Sequence, residues 1–231
     1  MARAPPLQGG GRRFEPCSAH TVTRHRGHAG RTAPRLATVD RLAKALDAID
    51  AANADDPSSI VVRGERRPKE IAHAELVTQW VQRLNPDPSE ALLLAARAHH
   101  LRRWVIPRSS YPKGRAGYLR WRKALHERHA TDVAGILERV GYDGPTIERV
   151  QDLVRKRGLG RDPEVQDLED ALCLVFIETQ LHDFARTVEP DKVSDVVAKT
   201  ARKMSDRAVG LALELDLSAD ERRLLEGSLE R

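Results

Sequence analysis

The sequence predicts an all-α fold, a single bundle of about eight helices that follows an N-terminal tail. Two observations support this. Aromatic residues make up only 4% of the chain, and apolar residues recur at helical rather than strand spacing. A length of 231 residues with 40% hydrophobic residues is enough for one buried core. We therefore expect residues 39–231 to form one helical domain.

Residues 1–38 form a tail rich in Gly, Pro and Arg, and its lack of periodicity predicts disorder. The tail holds seven of the 39 basic residues and one of the 34 acidic residues, so 32 basic and 33 acidic residues remain from Val39 onward. The folded part is thus nearly neutral, which disfavours nucleic acid as a partner. An alternative is that residues 1–38 are not translated and that Val39 is the native start.

Apolar spacing and helix-end signals place the elements along the chain. The predicted order is a helix over 39–53, an extended piece over 60–63, helices over 68–84 and 89–104, a loop over 105–114, a helix over 116–140, and helices that begin near Pro145, Pro163, Pro190 and Ser218. Ser89 can cap the third helix, and Ser218 with Glu221 forms a capping box. The helix after Pro163 is apolar on all sides, which predicts a central, buried position.

Cysteine usage and hydropathy indicate in which cellular compartment the protein works. The two cysteines, Cys17 and Cys173, match neither a zinc ligand set nor a disulfide framework. A reducing compartment fits this usage, and we expect a cytoplasmic protein. The longest apolar run, ALCLVFI at 171–177, has seven residues, whereas roughly 20 are needed to cross a bilayer. A membrane is therefore not an expected partner.

Ionisable side chains stand on the apolar faces, or at the entry, of successive predicted helices. They are His73, His99, His100, His129 and Asp170. An unpaired carboxylate in a core is strongly unfavourable, so Asp170 needs a cation, a metal or a strong donor beside it. Imidazole and carboxylate together suit zinc, iron, manganese or nickel. His126 lies three residues before His129 and is an alternative to it.

Three segments resemble the HD superfamily of metal-dependent phosphohydrolases. They are LAARAHHL from Leu94 to Leu101, HATDVAGIL from His129 to Leu137 and LEDALCL from Leu168 to Leu174. The resemblance implies an HD-like bundle in which His73, His99, His100, His129 and Asp170 hold a divalent metal ion: Mn, Fe, Zn, Ni or Mg. His100 stands where that family has the Asp of its His-Asp pair. The ligand set is then richer in imidazole, or the metal is held differently.

More narrowly, the segments ARAHHLRRWVIPRSSYP and RVQDLVRKRGLGRDPEVQDLEDALCLVFIE resemble an uncharacterised family of bacterial and fungal proteins. This second resemblance covers nearly all of Val39 to Arg231. It bears on the fold more than on the activity, because that family has no established reaction.

The HD resemblance implies hydrolysis of a small phosphorylated or nucleotide-like molecule by metal-activated water. The candidates for phosphate binding follow the third helix: Arg103, Arg108, Ser109, Ser110, Tyr111 and Lys113. Glu169 and Glu178 are candidates for a general base or for the partner of a ligating histidine. His100 in place of Asp keeps a second hypothesis open, a non-catalytic metal-stabilised or ligand-binding helical protein. A basic face after Val39 would instead indicate nucleic-acid binding.

Overall fold

A computed structural model describes residues 33–62 and 64–229, with side chains from Asp40 onward. In these residues the all-α prediction is confirmed, with one small hairpin added. The elements are α1 (Ala33–Asn53), β1 (Ser59–Val62), β2 (Glu65–Pro68), α2 (Lys69–Leu84), α3 (Glu90–Ala98), α4 (Arg115–Val140), α5 (Gly144–Val154), α6 (Pro163–Thr179), α7 (Leu181–Thr187), α8 (Pro190–Ala201), α9 (Asp206–Leu213) and α10 (Ala219–Leu229). Two 3-10 helices, Arg103–Val105 and Arg108–Ser110, lie between α3 and α4. None of the helices described here is long and apolar enough to cross a membrane.

Helix α6 occupies the centre of the bundle, as its apolar sequence predicts. It packs most extensively against α2 and also contacts α3, α5, α7 and α9. Helix α5 packs against α3 and α4, and α1 lies across the same two helices. Leucines such as Leu92, Leu137 and Leu174 are fully buried between these layers. The burial of this apolar surface is the main stabilising contribution to the bundle.

Side chains cap the N-terminal ends of two helices in the way the sequence predicts. Ser89 Oγ accepts a hydrogen bond from Leu92 N at 3.1 Å, so it caps α3. At α10 the backbone N of Ser218 donates to Glu221 Oε2 at 2.7 Å, and the backbone N of Glu221 donates to Ser218 Oγ at 3.3 Å. The predicted capping box is therefore formed in both directions.

Several boundaries differ from the predicted ones. Helix α1 begins at Ala33, six residues ahead of the predicted start, and residues 1–32 of the predicted tail lie outside the described part. The helix predicted to begin near Pro190 was expected to include Met204, but it ends at Ala201. Ser205 then caps a separate helix by accepting a hydrogen bond from Ala208 N at 3.2 Å. A serine at this position satisfies a free backbone donor and so favours a new helix start.

The extended piece predicted over 60–63 agrees with β1, whereas β2 is an addition. β2 pairs antiparallel with β1, with Ile60 opposite Arg67. Its sequence, ERRP, has no apolar alternation that would predict a strand. The turn contains Gly64 at φ +83°, a conformation that glycine adopts without strain.

A network of ion pairs fixes the hairpin, α1, α2 and α3 relative to one another. Arg67 in β2 makes two hydrogen bonds to Glu75 in α2, at 2.5 and 2.8 Å. Arg97 in α3 makes two to Asp50 in α1, at 2.6 and 2.5 Å, and its guanidinium lies 3.6 Å from Glu75. Two-point arginine–carboxylate contacts define orientation as well as distance. This network sets the positions of α2 and α3, which carry the site described below.

Helix α4 contacts the preceding loop at Gly117, and this close approach leads to a stability prediction. A Cβ atom at Gly117 would overlap the carbonyl oxygen of Pro112, whereas one at Gly135 in the same helix would meet only the end of Arg139 at 3.6 Å. Gly117→Ala should lower the free energy of unfolding by about 1–3 kcal/mol. Gly135→Ala should raise it by about 0.5–1 kcal/mol. Urea denaturation measures both, and equal effects of the two variants would contradict the predicted contact.

Candidate metal centre

The site is built around a turn that follows α3. Helix α3 ends at Ala98, six residues before the predicted end at Trp104. His99 Nδ1 lies 2.8 Å from the carbonyl oxygen of Ala96, so the imidazole takes over an acceptor that the helix leaves free. Arg102 then adopts a left-handed conformation at φ 53°. The chain reverses here and carries His99 and His100 out of the helix.

Two buried polar side chains hold this turn from neighbouring helices. Asn53, the last residue of α1, accepts a hydrogen bond from Arg102 N at 2.9 Å. His129 in α4 donates from Nδ1 to the carbonyl oxygen of Leu101 at 2.7 Å. Both side chains are buried, with residue exposures of 1% and 0%. Buried hydrogen bonds are costly to break without replacement, so the turn is fixed in place.

Helix α2 contributes a carboxylate to the site, that of Glu70. Glu70 lies in the first turn of α2, and its backbone N donates to Asp56 Oδ2 at 2.9 Å, which caps the helix. Glu70 and His73 stand three residues apart, so they share one face of the helix. Both are buried, with exposures of 5% and 3%.

Glu70, His73 and His100 come together as a group that could hold a metal ion. One ligand atom from each residue lies within 4.8 Å of the others. His100 Nδ1 is 3.1 Å from Glu70 Oε2. His73 Nε2 is buried and has no hydrogen-bond partner in the described part of the chain. A buried lone pair without a donor beside a carboxylate suits a cation.

Burial keeps the imidazoles of this region neutral. It lowers the pKa of His73, and it lowers the pKa values of His99 and His100 well below the ordinary value, with repulsion from neighbouring cationic groups adding to the effect at His100. Burial also lowers the pKa of His129 to about 4. Neutral imidazole is the form that binds metals. The carbonyl contact of His129 protonates Nδ1 and leaves the buried Nε2 as a lone pair.

The four histidines that the sequence predicts as ligands are thus gathered in one region. They differ in position relative to Glu70, His73 and His100, which we call the metal group. His73 and His100 belong to it. The ring of His99 is 4.2 Å from that of His100, and the ring of His129 is 6.1 Å away. His99 and His129 adjoin the group, and their role as ligands stays a prediction. Glu70 was not predicted, although a glutamate three residues before His73 was a signal for it.

Asp170 lies elsewhere, at the contact between α6 and the start of α9. Its carboxylate accepts hydrogen bonds from Ser205 N at 2.9 Å, Ser205 Oγ at 2.5 Å and Gln166 Nε2 at 2.8 Å. These donors satisfy a buried carboxylate without a metal. The structure does not bring Asp170 into the group of Glu70, His73 and His100, and its role as a ligand stays a prediction.

The two glutamates predicted as bases also have other partners. Glu169 is buried and pairs with Lys156 and with Lys203, the latter at 3.3 Å. Burial alone raises the pKa of Glu169, but the two ammonium groups outweigh it and the pKa is lowered. Glu178 is nine residues further along α6, about 13 Å away at helical rise. It is exposed and accepts a hydrogen bond from Trp80 Nε1 at 2.7 Å.

A small pocket of about 100 Å³ opens beside His100, and we call it the inner pocket. Its lining residues are His99, His100, Arg103, Tyr118, Arg122, Leu125, His126, Val154, Lys156, Leu168 and Leu172. Of the residues predicted to bind phosphate, Arg103 lines this pocket. Arg108 instead donates to the carbonyl oxygens of Tyr111 and Pro112 at 2.9 and 3.0 Å.

Ser109, Ser110 and Lys113 are exposed, and none of them, nor Tyr111, is among the lining residues. Arg122 and Lys156 line the pocket but were not predicted. For Arg122 a signal existed, since it stands four residues before His126 and seven before His129, on one face of α4.

The metal group predicts different effects for two buried carboxylates. Glu70→Gln keeps the side-chain shape but removes the charge next to His73 and His100, so metal loading should fall from about one ion per chain to near zero. Asp170→Asn should lower the free energy of unfolding by about 1–3 kcal/mol because it disturbs the contacts to Ser205, yet retain the metal. Elemental analysis of the purified proteins tests this. Loss of metal in Asp170→Asn with full loading in Glu70→Gln would contradict the assignment.

The comparison with known proteins agrees with the narrower of the two resemblances. No curated protein and no solved structure matches this chain. The family described as "Domain of unknown function (DUF4202)" matches residues 43–225, which extend from the middle of α1 into α10. Because the match covers most of the chain, the protein belongs to the DUF4202 family.

Proposed function

We propose that this protein is a metal-dependent hydrolase of a small phosphate ester, with the metal held by Glu70, His73 and His100. The observation that supports the proposal is that His100 belongs both to the metal group and to the lining of the inner pocket. A substrate in that pocket would therefore lie next to the metal. Arg103, Arg122 and Lys156 line the same pocket and suit an anionic substrate.

The donor set favours some metals over others. Two imidazoles and one carboxylate suit zinc, manganese, iron or nickel, whereas magnesium and calcium prefer oxygen ligands. Such a metal, when bound, would supply Lewis-acid activation of water and of a phosphoryl oxygen. Three protein ligands leave coordination positions open for both. We expect the reaction to take place in the cytoplasm.

The side chains around the metal group would orient the reactants. A guanidinium nitrogen of Arg103 donates to His100 Nε2 at 3.1 Å, and a metal bound at that nitrogen would replace this contact. Stacking of the guanidinium over the ring of Trp121, at 4.9 Å, would then keep Arg103 beside the metal. His99 and His126 also line the inner pocket. Their burial lowers both pKa values, that of His126 to about 4, so each is neutral at pH 7 and can accept a hydrogen bond from water.

A second candidate function is a non-catalytic protein that binds a metal and an anionic ligand. The observation that favours it is the absence of Asp and Glu from the described lining of the inner pocket. Hydrolysis would then depend on an imidazole or on Glu70 to accept the proton. A ligand-binding protein would need no base at all.

Turnover distinguishes the two candidates. The purified protein, loaded with Mn²⁺, Zn²⁺, Fe²⁺ or Ni²⁺, should release phosphate from p-nitrophenyl phosphate or from members of a nucleotide panel. Glu70→Gln should lower kcat/KM at least about 100-fold, because a ligand to the metal is lost. His182→Gln is the matched control, since this histidine is 63% exposed and pairs with Glu221 outside the site. Full metal loading without phosphate release from any substrate would favour the second candidate.

A further inference from the structure

The charge of the inner pocket is one-sided. Arg103, Arg122 and Lys156 line it, and no carboxylate is among its described lining residues. Arg103 and Arg122 form no ion pair with an acid in the described part of the chain. Arg103 donates to the neutral ring of His100 instead. Two guanidinium groups are therefore held at one pocket without a direct ion pair in the described residues, although the charge of Glu70 acts on Arg103.

These cations repel one another across the pocket. Burial is the main cause that lowers the pKa values of Arg103 and Lys156. Glu70 acts against it at Arg103 and Glu169 at Lys156, while the nearby charge of Arg122 lowers both pKa values further. His126 experiences the same field, since Lys156 and Arg122 add to the effect of its burial. Repulsion between like charges in a partly buried site is relieved when a multiply charged anion enters.

The backbone at Lys156 is a separate observation. Helix α5 ends at Val154, and Lys156 then adopts φ 59°, a left-handed conformation that is unfavourable for a residue with a Cβ atom. The backbone N of Lys156 donates to Leu153 O at 2.9 Å, and that of Arg157 to Asp152 O at 3.0 Å. Glycine is the usual residue at this position of a helix end.

Lys156 shares the neutralisation of Glu169 with a second lysine. Lys203 also reaches the Glu169 carboxylate, at 3.3 Å. The side chain of Lys156 is only 17% exposed and lines the inner pocket. Strained backbone at a pocket residue is often associated with a functional requirement for that side chain.

We infer that Arg103, Arg122 and Lys156 form a phosphate-binding site within the inner pocket, and that Lys156 occupies its strained position because its ammonium group contacts the bound anion. A tetrahedral dianion matches three converging cations, with guanidinium groups suited to two-point contacts and the ammonium to a point charge. The identification of this anion with the phosphoryl group of a substrate rests on the proposed function. The binding of phosphate itself does not require the metal.

The test is a titration of the full-length, chelator-treated protein with inorganic phosphate at constant ionic strength, followed by NMR or calorimetry. Lys156→Gly and Arg122→Met should each weaken phosphate binding about tenfold or more, the effect of losing one charge-assisted contact. Arg120→Met is the matched control, because it removes an exposed cation from the same helix that does not line the pocket. It should leave phosphate binding unchanged.

A comparison of Lys156→Gly with Lys156→Ala tests the backbone part of the inference. Both variants lack the ammonium group, but only glycine relieves the left-handed strain, so its melting temperature should be about 2–4 °C above that of the alanine variant.

Phosphate binding by Lys156→Gly or Arg122→Met as tight as by the wild type would overturn the inference, as would no saturable binding to the wild type. If the wild-type protein binds phosphate but takes up no metal, the proposed function is overturned and this inference stands.

Discussion

The turn after α3 is the constraint on which the site depends. His99 bonds the end of its own helix, Asn53 binds Arg102 N from α1, and His129 binds the carbonyl oxygen of Leu101 from α4. Three parts of the bundle thus hold one turn whose backbone passes through a left-handed residue. Without these contacts α3 could continue, and His100 would not be held next to Glu70.

The same region shows how a helical bundle can accommodate ionisable groups in its interior. The imidazoles are neutral because burial lowers their pKa values, so the full charges next to them come from Glu70 and, at His100, from Arg103. The cations lie on the pocket side, where Arg103 stacks on Trp121 and Lys156 pairs with Glu169. One carboxylate for a metal and several cations for an anion are complementary requirements of phosphate-ester chemistry.

Much of the fold could be predicted from the sequence because its signals are local. Apolar spacing, Ser89, and the pair of Ser218 and Glu221 place helices and their ends without reference to distant residues. The end of α3 could not be placed in this way, since it is determined by Asn53 and His129, which are far away in the chain. The split between α8 and α9 followed from Ser205, a capping residue that the apolar spacing obscured.

The site was predicted only in part for a related reason. His73 and His100 stood out as histidines on apolar faces, whereas Glu70 resembles the acidic residues that favour any helix N-terminus. Asp170 was expected to need a cation, a metal or a strong donor, and the structure places the donors of Ser205 and Gln166 beside it. Nothing in the local sequence around Lys156 indicated its left-handed backbone. Partners that are distant in sequence decide each of these cases.

Anomalous diffraction from crystals soaked with Zn²⁺ would show whether Glu70, His73 and His100 hold a metal, because it locates the ion rather than counting it. We expect one strong peak about 2.0–2.2 Å from a carboxylate oxygen of Glu70 and from one ring nitrogen each of His73 and His100. A peak at the Asp170 carboxylate, or none within the bundle, would contradict it.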